Sequence, residues 1–132
     1  MTPTNESELE QLIAIDGPQF GCFLMRNNSG AFKDETGRLV RYGLDNTSAK
    51  RNAEIKSSDR IGFTRVTITP QMVGQTVAII TAVEVKKPGW KPALNDKREA
   101  AQFRFISWIR NSGGFAGFAQ SIEDFRKIIG RV

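Results

Sequence analysis

Glu84 and Lys86 close an apolar run, "AIITAVEVKK" (78 to 87), and differ by two positions. Side chains alternate along a strand, so the two share one face while Val83 and Val85 take the other. Glutamate and lysine are among the residues least often buried, so the pair marks either a strand end that reaches water or a site. Asp59 heads the segment "DRIGFTRVTI" (59 to 68) and would join them from a neighbouring strand. Two carboxylates and the backbone carbonyl of Val85 make an all-oxygen set suited to a hard divalent ion such as Mg²⁺. Lys86 would lie beside the water held by such an ion, where an ammonium stabilises a developing anion or orients the nucleophile. These parts suit phosphodiester hydrolysis without histidine. The chain contains no His and a single cysteine, Cys22, which excludes serine–histidine and cysteine–histidine catalysis, a Cys/His zinc cluster and an intramolecular disulfide.

Glu-x-Lys is by itself a common triplet, and the chain holds a second copy, Glu54-Ile55-Lys56. That copy lies in the polar stretch "AKRNAEIKSSD", with no apolar strand leading into it to hold its side chains rigidly. Taken alone, Glu84 and Lys86 remain open to both readings.

The elements that must position these residues are legible as periodicities. "ESELEQLIAI" (6 to 15) carries Leu9, Leu12, Ile13 and Ile15 at helical spacing, with acids in the first turn. "CFLMR" (22 to 26) reads as a short strand, and the glycine-bearing stretch after it and residues 45 to 57 read as loops. The segments 59 to 68 and 76 to 86 read as strands joined by the turn "TPQMVGQ", hence as an antiparallel hairpin with Asp59 and Glu84 at its open end. The second of these is apolar on both faces and so is expected to be central in a sheet. A helix is expected from Asn95 or Asp96 to Gly113-Gly114, burying Ala101, Phe105, Ile106 and Ile109. "FAGFAQ" then gives a strand, and Ser121 with Asp124 resembles a capping box for a closing helix. The class is mixed α/β.

The 132 residues, 39% hydrophobic and 25% charged, fit one compact domain over 1–132. Lys plus Arg exceeds Asp plus Glu by 19 to 14, a net charge of +5 that favours a polyanionic partner, nucleic acid first. No charged-then-apolar leader opens the sequence and no apolar run approaches the roughly 18 residues of a membrane span, so the expectation is a cytoplasmic protein with no membrane partner.

The stretches "SSDRIGFTRVTITPQMVGQTVAIITAVEVKKPGWK" and "REAAQFRFISWIRNSGGFAGFAQSIEDFRKII", with "SELEQLI" and "MRNNSGAF" upstream, closely resemble the virus-type replication-repair nuclease (VRR-NUC) domain. This is a branch of the PD-(D/E)XK nuclease superfamily, and the likeness is to its small single-domain phage and prophage members. It covers nearly the whole chain in order. It implies a restriction-endonuclease-like core, a central mixed β-sheet flanked by helices in the order αβββαβα. Asp59 and Glu84 become the metal carboxylates, Lys86 the signature lysine, and Glu8 the acid on the first helix near the metal, with Glu10 as its alternative. Gln102 corresponds to a glutamine facing the site from the helix after the catalytic strand. The metal implied is Mg²⁺ or Mn²⁺. A homodimer in a bacterial host cell, acting on branched DNA such as four-way junctions, is implied as well. Lys56 departs from the small residue, often glycine, that the family places before Ser-Ser-Asp.

Further contacts to DNA are expected of Arg26, Asn27, Asn28, Arg41, Lys87, Trp90 and Arg98. Asn-Asn-Ser-Gly is equally ordinary turn chemistry. The basic residues from Lys33 to Arg65 give the middle of the chain a bias suited to phosphates. Trp90 is the better candidate for stacking on a base, since Trp108 lies beside apolar helix positions. The reading is a metal-dependent DNA endonuclease, with two rivals: a non-catalytic nucleic-acid-binding protein and an exonuclease of the same superfamily.

Overall fold

A computed structural model describes residues 2–93 and 95–131. The chain folds as two compact units, Met1–Val66 and Thr67–Val132. Among the described residues there are four α-helices and three two-stranded sheets, a mixed α/β protein.

The first unit opens with α1, Glu6–Asp16, which Asn5 caps by accepting the Glu8 N–H on its side chain. Strand β1, Cys22–Arg26, follows, then β2, Gly30–Lys33, and β3, Leu39–Tyr42. The last two form an antiparallel hairpin where the sequence suggests a loop. Four-residue strands leave too short an alternation to be read against a polar background. The turn between them is set by Asp34, whose Oδ1 accepts from the backbone of Thr36 and Arg38 and from the Thr36 hydroxyl. Buried Asn46 seals the hairpin, donating its amide to the Gly30 and Tyr42 carbonyls at 2.9 Å each and accepting from Arg41. Helix α2, Ala49–Glu54, is likewise a short element inside an expected loop, capped by Ser48. It places Glu54-Ile55-Lys56 across a helix end, with no strand feeding it.

Strand β4, Arg60–Thr64, takes β1 as its antiparallel partner, with Arg26 opposite Arg60 and Leu24 opposite Gly62. A Cβ at 62 would run into the Phe23 carbonyl oxygen, so only glycine lets the strands approach there.

The second unit is built on β5, Thr81–Val85, α3, Lys97–Asn111, and β6, Phe115–Ala119, followed by α4, Ile122–Ile128. β5 and β6 are parallel, with Glu84 opposite Phe118, and α3 is the crossover that a parallel pair requires. This corrects the expected β4–β5 hairpin: β4 pairs with β1 and β5 with β6. Proximity in sequence favours a hairpin, but the apolar faces of α3 and β6 give β5 a better-covered partner. β5 is also not packed on both faces, because Val85 is 75% exposed. Asp96 caps α3 by accepting two backbone N–H groups, and Gly113 (φ +97) ends it. Ile106 and Ile109 of α3 pack with Ala116 and Ala119 of β6, the buried apolar core among the described residues. The stripe is therefore rotated from the expected one: Ala101 and Phe105 flank it and remain exposed.

The accessible surface is 10675 Å². Two separate compact chains of about 66 residues would together expose about 8,400 Å² by the usual scaling. The excess is apolar in large part: Ile13, Ile15, Val66, Ile68, Val73 and Val85 are all exposed. Helix α1 forms where its periodicity predicts, yet Leu9, Ile13 and Ile15 of its apolar stripe are exposed and Leu12 is only half-buried. Among the described residues no helix is long and apolar enough to cross a membrane.

Ile109 is fully buried, so Ile109→Ala should destabilise the α3–β6 packing by about 2–5 kcal/mol, read as faster amide hydrogen exchange in β5, β6 and α3. Exchange at parental rates would mean that this core does not hold the second unit together.

Candidate active site

In the second unit, the ladder register puts Glu84, Lys86 and Phe118 on one face, and α3 lies across it. Gln102 reaches from α3 between the two charged residues. Its Nε2 donates to Glu84 Oε1 at 2.9 Å, and its Oε1 accepts from Lys86 Nζ at 2.9 Å. The amide can face only one way, because the carboxylate needs a donor and the ammonium an acceptor. Glu84, Gln102 and Arg98 line a cleft of about 380 Å³ whose other walls include Ala82, Phe105 and Ile106. Arg98 and Gln102, four apart on the helix, lie on one side of it. Of the sequence candidates, Glu84, Lys86, Gln102 and Arg98 are brought together here. Lys87 and the Val85 side chain are exposed.

Lys86 has further neighbours. Its Nζ lies 4.0 Å from Glu99 Oε1, 5.3 Å from the Trp90 ring centroid and 5.8 Å from that of Phe118. Glu99 accepts from Trp90 Nε1 at 2.6 Å and from the Ala93 N–H at 2.7 Å, and Trp90 stacks on Phe118 at 5.0 Å. The Trp90 hydrogen bond, then that of Ala93, hold the Glu99 carboxyl below its ordinary value, with the Lys86 charge adding to the effect. Trp90 is thus engaged within its own unit, its indole N–H by Glu99 and its ring by Phe118. Sequence reasoning passed over Glu99, although it lies three residues before Gln102 and so shares its helix face.

In the first unit, Asp59 is exposed and immediately precedes β4. Asn27 holds the approach to it: its backbone N–H donates to the Asp59 carbonyl, and its side-chain amide donates to Ser57 Oγ and the Ser58 carbonyl at 2.8 Å each. Asn27 Oδ1 accepts from the Leu44 N–H. Its side-chain polar atoms thus shape Ser57-Ser58-Asp59 and hold Leu44, the turn role that is one of the two readings of this stretch. Arg26 and Asn28 are exposed, while Arg41 bonds Asn46. Glu8 accepts from the Thr4 N–H and hydroxyl, which lower its carboxyl from the ordinary value, backbone bond first. It serves as a cap. Glu10 instead lies 4.0 Å from Arg60 Nε, beside Asp59 in sequence.

Charge is divided unevenly. Residues 1–66 hold nine basic and nine acidic side chains, so the whole net +5 belongs to 67–132. Arg51 is moreover paired with Asp45 at 2.6 Å. The basic bias of residues 33–65 persists, eight basic against five acidic side chains, and is offset within the first unit by the four acids of residues 6–16.

Among the described residues no three Asp, Glu or Cys side chains form a group that could hold a metal. A magnesium-like ion does not require three, since it keeps several waters and uses one or two carboxylates with substrate phosphates. Glu84, half-buried on a cleft with only one oxygen engaged by Gln102, fits one such carboxylate. No protein-family model, curated protein or solved structure matches the chain.

The cap assignment predicts a pH signature. A carboxyl held low in the folded state contributes stability above its unfolded value of 4.5 and loses it as pH falls through the lower folded value. Glu8→Gln should therefore unfold at lower temperature than the parent at pH 6, with the difference closing as pH drops below 4.5. A gap that is constant with pH would mean that the charge of Glu8 is not what caps α1.

Proposed function

We propose that this chain is a metal-dependent deoxyribonuclease that hydrolyses phosphodiester bonds, with branched DNA such as a four-way junction as substrate, in phage replication, recombination or repair. The observation that carries the reading is the Glu84–Gln102–Lys86 chain, whose first two members line the β5–α3 cleft. The three residues singled out by strand-end chemistry and by the VRR-NUC resemblance meet there through two 2.9 Å hydrogen bonds. The finer fold, a restriction-endonuclease-like core, belongs to the same proposal.

The VRR-NUC resemblance assigns Glu84 and Asp59 to Mg²⁺ or Mn²⁺, and the Val85 carbonyl offers a further oxygen next to Glu84. When bound, such an ion lowers the pKa of its water and neutralises charge at phosphate. Lys86 supplies an ammonium to the anion that develops at the scissile phosphate. Gln102 holds Lys86 and Glu84 in fixed relation and can exchange either hydrogen bond for one to water or phosphate oxygen. Arg98 offers a guanidinium on the same cleft, suited to bidentate phosphate binding. The basic surface of residues 67–132 supplies the remaining backbone contacts. Asn27 keeps Asp59 at a defined height before β4. Glu10 takes precedence over Glu8 as the helix acid, because the Glu8 carboxylate is engaged by Thr4. The exposed apolar surface supports a homodimer.

The test is cleavage of labelled four-way junction, flap, linear duplex and closed circular DNA with Mg²⁺, Mn²⁺ or EDTA. The expected outcome is metal-dependent cutting, strongest on the junction, abolished in Glu84→Gln, Asp59→Asn and Lys86→Ala, with DNA affinity kept within a few-fold because many phosphate contacts supply it. Gel shift without cutting on every substrate would overturn the nuclease in favour of a non-catalytic binder. Cutting confined to DNA with ends would replace the endonuclease by an exonuclease.

A further inference from the structure

The signature resemblance stops at Gln102, but the contacts around Lys86 continue past it. Its ammonium is met from one side by the Gln102 oxygen and from another by Glu99, with the faces of Trp90 and Phe118 within 6 Å. Lys86 and Glu99 side chains are only 16% and 18% exposed. A lysine carries three donors on four rotatable bonds, so a single acceptor leaves its ammonium free to swing. Glu99 differs from an ordinary surface acid in being held at both oxygens, one by the Trp90 indole N–H and the other by the Ala93 backbone N–H. Trp90 is in turn set by its stack on Phe118, the residue opposite Glu84 in the ladder. Each group is thus oriented by one that is itself anchored, which is how a supporting shell gives a site its precision.

We propose that Glu99, braced by Trp90 and the Ala93 N–H, is the positioning residue of Lys86, aiming its ammonium at Gln102 and the Glu84 cleft. The catalytic consequence rests on the nuclease reading; the ordering of Lys86 does not. Glu99 does not touch substrate. It restricts Lys86 to the arc in which Gln102 accepts. Trp90 and Ala93 are tied to α3 by the same carboxylate, so one residue couples these two positions after β5 to the orientation of Lys86.

Two variants separate positioning from loop anchoring. Glu99→Gln carries no charge toward Lys86, and its single amide oxygen can replace one of the two bonds to Trp90 and Ala93 but not both. Trp90→Phe keeps the ring on Phe118 and removes the indole donor. In the junction assay, Glu99→Gln should lower kcat by about 10- to 100-fold, as misplacement of a catalytic group does, with KM within about two-fold; Trp90→Phe should lie between it and the parent. In parallel, NMR of ¹⁵N-lysine should show an ordered Lys86 ammonium signal in the parent that is lost in Glu99→Gln while Lys87 and Lys91 are unchanged. Parental kcat together with a retained ammonium signal in Glu99→Gln would overturn the proposal. If the parent cuts nothing, the nuclease reading fails, and the ammonium signal alone still decides whether Glu99 positions Lys86.

Discussion

A single amide holds the candidate site together. Glu84 and Lys86 leave the same strand face with opposite charges, and in water such neighbours would be loosely associated and largely screened. Gln102 replaces that loose pairing with two directed hydrogen bonds, and it can do so only because α3 crosses the β5–β6 ladder at this height. The placement of α3 follows from its packing: Ile106 and Ile109, one and two turns beyond Gln102, bury against Ala116 and Ala119 of β6. The small core of the second unit therefore serves chiefly to deliver one polar side chain to a strand end. Losing that packing would separate the charges from their bridge before it disturbed either charge itself.

The same economy recurs in the first unit, where side chains that look available are committed to shaping the backbone. Asn27 spends its polar atoms on the residues around Asp59, Asn46 seals the β2–β3 hairpin, and Glu8 holds the start of α1. Short elements with few apolar contacts depend on such bonds, because burial supplies little of their stability. The net positive charge of the chain lies in residues 67–132, the unit that carries Lys86. Apolar side chains are exposed in both units, Leu9, Ile13 and Ile15 of α1 in the first and Ile68 and Val73 in the second.

Much was legible before any coordinates. Helices α1, α3 and α4 follow from apolar periodicity, with acids in the first turn of α1, Asp96 and Ser121 as caps and Gly113 as a stop, and β1, β4 and β6 read as short strands. Local signals suffice for such elements because caps and periodicity act within a turn or two. The β2–β3 hairpin and α2 were not legible, since four to six residues in a polar, glycine-bearing stretch fall below what patterning resolves. Glu84 and Lys86 could be named from type and spacing and Gln102 from the family resemblance, whereas Glu99 and the Trp90–Phe118 stack could not, because nothing local distinguishes a braced glutamate from a solvated one.

What the sequence by itself determined is the inventory: a mixed α/β chain without histidine, one cysteine, a charged pair at a strand end and a glutamine on the following helix. What only the tertiary structure decided is partnership. Strand pairing is a contest among all available edges, so β4 went to β1 and β5 to β6 although the two lie adjacent in sequence. A side chain's role is likewise a contest among the groups within about 3 Å of it, which made Asn27 a clamp, Glu8 a cap and Glu99 a brace. Residue type limits those outcomes, and the positions of neighbours distant in sequence select among them.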